Sequence, residues 1–166
     1  MIPLIPYKRI SIKTPLSIDS IVQAMSKVIA APRDLFQEPH ILNGKFYEGK
    51  VSSQGFEIQR IIYTRNTFLP VLYGKFIAEE TGTQVDVQIV VHPAALILFA
   101  LMFLLPSLGI TFLTLLLSII RYDNGLYLYS GGFFVAGYLL MTLSFGFEAK
   151  DSERYITEFF ERNQPR

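Results

Sequence analysis

The chain has 166 residues, the length of a single domain, but 51% of it is hydrophobic and only 17% is charged. An aromatic content of 14% and a formal net charge of +1 exclude an intrinsically disordered chain and disfavour a nucleic-acid-binding protein. The absence of cysteine excludes disulfides, thiolate metal sites and a thiol nucleophile. The apolar residues are concentrated in residues 93–147, which indicates a membrane protein.

Residues 1–92 predict a cytoplasmic α+β domain. Polar and apolar residues alternate over 9–13, as in a half-buried strand. Ser17 is a candidate N-cap for an amphipathic helix whose apolar face runs from Ile18 to Ile29, and Pro32 is expected to end that helix.

Four more strands are predicted in this domain, at residues 44–51, 56–63, 71–78 and 84–91, each from its alternation. The last shows it most clearly. The connections are short, including a Glu-Glu-Thr-Gly turn at 79–82, and this favours an antiparallel β-meander. An apolar sheet face requires cover, so we expect an amphipathic helix to pack against it.

Residues 93–120 form a run of 28 uncharged residues. As one helix it would be about 42 Å long, more than a hydrocarbon core of about 30 Å requires. We therefore expect one span kinked at Pro106, whose ring removes the hydrogen bond to the carbonyl of Met102. The alternative is a pair of short re-entrant halves broken at 106–109.

A second run of 22 uncharged residues covers 126–147, after a polar turn at 121–125 that contains Asn124-Gly125. The two runs predict a transmembrane hairpin, residues 93–147, in contact with the lipid bilayer. Fourteen of the fifteen Lys and Arg residues lie outside the hairpin, so both termini are expected to be cytoplasmic. A bacterial inner membrane or another energy-transducing membrane is the expected location.

Residues 148–166 predict a C-terminal amphipathic helix with Tyr155, Ile156, Phe159 and Phe160 on one side. We expect this helix to pack back on the α+β domain. The alternative is a position in the membrane interface, which the acidic residues Asp151, Glu153, Glu158 and Glu161 disfavour.

Groups for catalysis are scarce. The two histidines, His40 and His92, are about fifty residues apart and neither has a carboxylate at ligand spacing. No glycine-rich phosphate loop is present. We therefore expect no enzymatic activity, no cofactor and no metal site.

Arg60 is the most unusual residue. Alternation places it on the face that carries Phe56, Ile58 and Ile62, and a buried guanidinium requires a partner. One interpretation is an internal ion pair with Glu48 or Asp86, in which case truncation of Arg60 would cost on the order of 3–5 kcal/mol. The other is that Arg60 and Arg65 contact an anionic ligand, a lipid headgroup or a partner near the bilayer.

The same segment carries a resemblance. The pattern F-x-I-x-R-x-I-x-Y…R-N-T-F-L-P-V-L-x-G-x-F, followed by G-T-x-V-x-V-x-I-x-x-H-P before two spans, resembles a group of small uncharacterised bacterial two-span membrane proteins over residues 9–160. The element order also resembles part of a helix-grip (START-like) domain with a transmembrane hairpin inserted before its last helix.

Two functions follow as hypotheses. The first is a non-enzymatic integral membrane protein that serves as an accessory or assembly factor of a larger membrane protein complex, with other membrane subunits as partners and no nucleic acid. The second is a membrane-anchored protein that binds a lipid or another hydrophobic ligand.

Overall fold

The computed structural model describes residues 5–32, 45–61, 69–118 and 125–164. Its fold is α+β, as predicted: a six-stranded mixed sheet is packed against helices, and two helices are long and apolar enough to cross a membrane. The elements in chain order are β1 Tyr7–Thr14, α1 Ile18–Val28, β2 Ile29–Ala30, β3 Tyr47–Ser52, β4 Gly55–Arg60, β5 Pro70–Glu79, β6 Gly82–Val91, α2 Pro93–Phe99, a π-helical turn Ala100–Leu104, α3 Leu105–Ser118 and α4 Gly125–Arg162.

The sheet has the strand order β1-β6-β5-β4-β3-β2. Strands β3 to β6 form the predicted antiparallel meander, and β1 pairs antiparallel with β6. The short strand β2 pairs parallel with β3, which makes the sheet mixed. At the β5–β6 turn Gly82 has a φ of +144° and a Cβ there would lie 2.2 Å from the carbonyl oxygen of Thr14, so only glycine fits.

Helix α1 begins as the sequence predicts, because the Ser17 side chain accepts a hydrogen bond from the backbone N–H of Ser20 at 3.3 Å. It ends at Val28, earlier than the expected stop at Pro32. Ile29 leaves the helix because it pairs with Tyr47 in the sheet. The periodicity did not reveal this, because the apolar side chain of Ile29 also fits the apolar face predicted for the helix.

One face of the sheet forms the core. Its central residues, Ile58, Leu72, Val87 and Ile89, are at most 1% exposed. The C-terminal half of α4 covers this face through Ile156, Phe159 and Phe160, and α1 adds Ile21 and Met25. The core is therefore closed between the sheet and these two helices.

The first apolar run is helical throughout its described part. Its α-helical segments α2 and α3 are joined by the π-helical turn Ala100–Leu104, in which the N–H of Leu105 bonds to the carbonyl oxygen of Ala100. Helix α3 continues through 106–109, so the interpretation as two re-entrant halves is wrong. The wider turn immediately before Pro106 fits the proline ring, which would clash in a regular helix.

The second apolar run and the C-terminal amphipathic segment form one helix, α4, with 38 residues. It is about 57 Å long, nearly twice the thickness of a hydrocarbon core. One buried stripe at three- and four-residue spacing runs along it and contains Gly137, Met141, Phe145, Ala149, Ser152, Ile156 and Phe160. The first half of this stripe faces α3 and the π-helical turn, and the second half faces the sheet.

Candidate functional site

Arg60 lies at the end of β4, opposite Tyr47 in the register and on the face of the sheet that α4 covers. Its Nη1 donates a hydrogen bond to Glu148 Oε2 at 3.3 Å and lies 3.7 Å from Asp151 Oδ2. The Arg60 side chain is 39% exposed. The guanidinium therefore joins the sheet to α4 at the point where the apolar run of α4 ends.

The partners expected for Arg60 were wrong. Glu48 and Asp86 lie on the opposite face of the sheet, because each is one residue out of phase with the covered face. Asp86 instead accepts a hydrogen bond from Arg9 at 3.3 Å, and Glu48 accepts one from Gln59 at 3.0 Å. Alternation placed Arg60 on the correct face, but its partner Glu148 in α4 is 88 positions away in the chain. Arg65 and His40 lie outside the described residues.

An aromatic pair lies beside Arg60. The rings of Tyr47 and Tyr155 stack with their centroids 4.0 Å apart, and the Tyr47 hydroxyl hydrogen-bonds with the side chain of Ser152. Burial raises the pKa of Tyr47 to about 12, and the nearby Arg60 charge opposes this rise only in part. Tyr47 is therefore a neutral hydrogen-bonding group of the interface between the sheet and α4.

A surface cleft of about 330 Å³ opens beside this junction. It is lined by Phe46, Tyr47, Arg60, Asp151, Arg154, Tyr155 and Glu158. Arg154 Nε donates to Glu158 Oε1 at 2.8 Å and its hydrogen bond lowers the pKa of the Glu158 carboxyl. Both arginines of the cleft face carboxylates of α4, so its charges are largely neutralised by one another, which disfavours an anion site. Its geometry is that of a joint between sheet and helix.

His92 has a structural role that the sequence pattern did not show. Its Nδ1 accepts a hydrogen bond from the backbone N–H of Ala94 at 3.1 Å and so caps α2. Within the described ranges, no group of three or more His, Cys, Asp or Glu residues could hold a metal ion.

The two apolar helices are joined by hydroxyl groups. Thr111 Oγ1 and Ser130 Oγ are 2.6 Å apart, and Ser130 Oγ donates to the carbonyl oxygen of Ser107 at 2.9 Å. Nearer the domain, the ring of Phe103 fills the space that a Cβ of Gly137 would occupy, at 2.2 Å. These contacts pack the helices closely without any charge inside the apolar runs.

Comparisons with known proteins do not assign a role to the Arg60 junction. No protein-family model matches the chain, and no curated protein matches it. The junction is therefore interpreted from its own contacts, which are an ion pair, a ring stack and a neutral hydrogen bond between the sheet and α4.

Proposed function

We propose that this chain is a non-enzymatic integral membrane protein that acts as an accessory or assembly factor of a larger membrane protein complex. The observation that carries the proposal is α4, a single helix that combines an apolar, exposed half with a half that forms part of the domain core. A partner held at the apolar half would thereby be fixed in position relative to the α+β domain.

Membrane insertion is supported by what the apolar helices leave exposed. In the most apolar 18-residue stretch of the first helix only 6% is buried, and in that of the second helix 22% is buried. The core helix of a soluble protein, in contrast, is mostly buried. Large side chains such as Ile97, Phe112 and Leu143 are more than half exposed. Such an extended apolar surface is unfavourable in water and favourable in lipid.

Contact with another membrane subunit is supported by the outer face of α4. Gly132 and Ala136 lie on the side opposite the buried stripe, and both are exposed. A Cβ at Gly132 would have no atom within 4 Å. A pair of small residues four positions apart lets another helix approach closely, and within the hairpin the equivalent close approach uses Gly137 instead.

Purification in mild detergent with a Gly132→Leu variant tests this proposal. We expect the wild-type chain to co-purify with a defined set of membrane proteins and Gly132→Leu to lose them, because leucine blocks close approach. Gly109→Leu is the matched control, since Gly109 is also exposed with no atom within 4 Å of its Cβ position but lies on α3. A wild-type protein that runs as a monomer without associated protein would contradict the proposal.

Binding of a lipid or hydrophobic ligand is the second candidate, and one cleft favours it. A cleft of about 330 Å³ between α1 and α4 combines apolar side chains with polar and charged ones: Ala24, Val28, Tyr155 and Phe159 with Lys27, Glu158, Arg162 and Asn163. Arg162 pairs with Glu158 at 3.0 Å, so Lys27 is the cation that would meet a headgroup. The space between the sheet and α4 is filled, because Val87, Ile156 and Phe160 have no exposed surface. A ligand would thus have to lie in the surface cleft, and native mass spectrometry that finds a stoichiometric lipid would favour this candidate.

A further inference from the structure

The end of the sheet nearest the apolar helices carries a row of residues at one level. If the strand registers are continued past the last paired residues, His92 lies opposite Ile5 and Leu69, and Ile61 lies opposite Leu69 and Phe46. Five residues therefore share one row. They are Ile5, His92, Leu69, Ile61 and Phe46. The hydrogen bond from the N–H of Ile61 to the carbonyl oxygen of Phe46, at 2.8 Å, continues the ladder into the row.

This row coincides with the level at which both apolar helices begin or end. His92 belongs to the row and is followed directly by the first residue of α2, Pro93. Arg60, one position behind the row, bonds to Glu148, which is the first charged residue after the apolar run of α4. The row therefore lies where the bilayer interface would be if these helices span.

The two ends of the row are apolar and exposed. Ile5, before β1, is 50% exposed and Phe46, before β3, is 55% exposed. Strands β1 and β3 are four strand spacings apart in the sheet, or about 19 Å. Strand β6, which leads into α2, lies between them. Tyr7, which is exposed and pairs with Val90, adds a ring with a polar tip close to Ile5.

We infer that this end of the sheet rests in the phospholipid interface, with Ile5 and Phe46 inserted at two points on either side of the place where the chain enters the membrane. The inference rests on the proposed membrane insertion of the two apolar helices. The bilayer is the occupant of this surface because the row is continuous, through His92 and through Arg60–Glu148, with the ends of the apolar helices. Two separated apolar contacts fix the orientation of the domain, so that the opposite end of the sheet, with the β5–β6 turn, points away from the membrane into water.

Single tryptophans in vesicles test the inference, since the chain has no tryptophan of its own. Phe46→Trp and Ile5→Trp are placed in phosphatidylcholine–phosphatidylglycerol vesicles whose acyl chains are brominated. Ile77→Trp is the control, because Ile77 is 39% exposed and lies seven residues along β5 from Pro70, about 23 Å away. Phe112→Trp on the exposed side of α3 reports the hydrocarbon core.

We expect Phe112→Trp to lose most of its emission. Phe46→Trp and Ile5→Trp should lose a clear fraction with an emission maximum at shorter wavelength, and Ile77→Trp should lose none. If Phe112→Trp is quenched and either Phe46→Trp or Ile5→Trp behaves like Ile77→Trp, the inference is wrong and membrane insertion stands. Quenching of Ile77→Trp as strong as that of Phe46→Trp would also overturn it, because the domain would then lie flat. An unquenched Phe112→Trp would refute membrane insertion itself.

Discussion

Arg60 connects the sheet to α4 through charges that remain in contact with solvent. Its side chain is 39% exposed, and Asp151 is more exposed than that. Ion pairs of this kind gain less than buried ones because water screens them and the side chains lose freedom on pairing. The large truncation cost that would apply to a buried pair therefore does not apply here.

Arg60→Ala should lower the stability of the domain by about 0.5–1 kcal/mol, near the upper range for exposed pairs, because two carboxylates share the guanidinium. Arg154→Ala is the control and should change stability by less, since Arg154 is 79% exposed and pairs with Glu158 one helical turn away. Thermal melting of both variants in detergent gives the comparison. A loss of about 3 kcal/mol or more for Arg60→Ala would show that the pair is desolvated, contrary to its exposure.

Tyr47 makes stability depend on alkaline pH. Its pKa rises from 10.0 to about 12 in the folded protein, so the folded state holds the phenolic proton more tightly than the unfolded chain does. The resulting stabilisation is complete below pH 10 and is lost as pH rises through 10 towards 12. At about 1.4 kcal/mol per unit, the loss amounts to roughly 2–3 kcal/mol.

Tyr47→Phe tests this, because phenylalanine keeps the ring stack but does not ionise. At neutral pH the variant should be less stable than wild type by about 1 kcal/mol, because it loses the hydrogen bond to Ser152. Above pH 10 this difference in stability should shrink and then change sign, so that the variant becomes the more stable protein. Denaturant unfolding at a series of pH values measures both, and parallel pH profiles for the two proteins would refute the assignment.

At the scale of elements, the first apolar helix and α4 approach each other closely at Gly137, in addition to their hydroxyl contacts. Gly137 faces the ring of Phe103, while Gly132, on the same helix, faces no atom within 4 Å. The two glycines therefore differ in surroundings but share the same backbone conformation. Comparing alanine substitutions at the two positions therefore separates the effect of side-chain packing on stability from the effect of helix propensity.

Gly137→Ala should be less stable than Gly132→Ala by about 1–3 kcal/mol, because the added methyl group must displace the Phe103 ring. Both substitutions gain the same helix propensity, about 1 kcal/mol, so the difference isolates the contact. Melting temperatures in one detergent are the measurement. Equal effects of the two substitutions would mean that the apolar helices are not packed at Gly137.

At the scale of the whole molecule, the sheet order determines where the chain leaves the domain and where it returns. Strand β6 lies between the edge strand β1 and β5, so α2 starts one strand in from an edge of the sheet. Helix α4 returns on the covered face and contacts β1, β5 and β6. The described polar parts before α2 and after the apolar half of α4 consequently lie on one side of the apolar helices, as expected for a hairpin of two spans.

Cysteine labelling tests the proposed topology, since no native cysteine competes. Asn124→Cys, between the two apolar runs in the sequence, should react with a membrane-impermeant reagent in intact cells. Ser53→Cys, in the exposed β3–β4 turn, should react only after the cells are opened. The opposite labelling pattern would place the termini outside the cytoplasm.

Local patterns in the sequence were enough for much of this structure. Alternation located the meander and put Arg60 on the right face, Ser17 marked the start of α1, and the uncharged runs located the two apolar helices. Each of these features depends on residues within a few positions of one another. Hydrophobic periodicity and capping act over that range, so the sequence alone determines them.

Contacts between distant residues were decided by the tertiary structure. Glu148 and Asp151 are partners of Arg60 only because α4 crosses the end of β4. Ile29 is in a strand and not in α1 because it pairs with β3. Helix α4 continues across 147–148 because the same face of it is buried along its length. This face packs first against α3 and then against the sheet. No local signal encodes the identity of such partners, since many residues on a face satisfy the same pattern and packing selects among them.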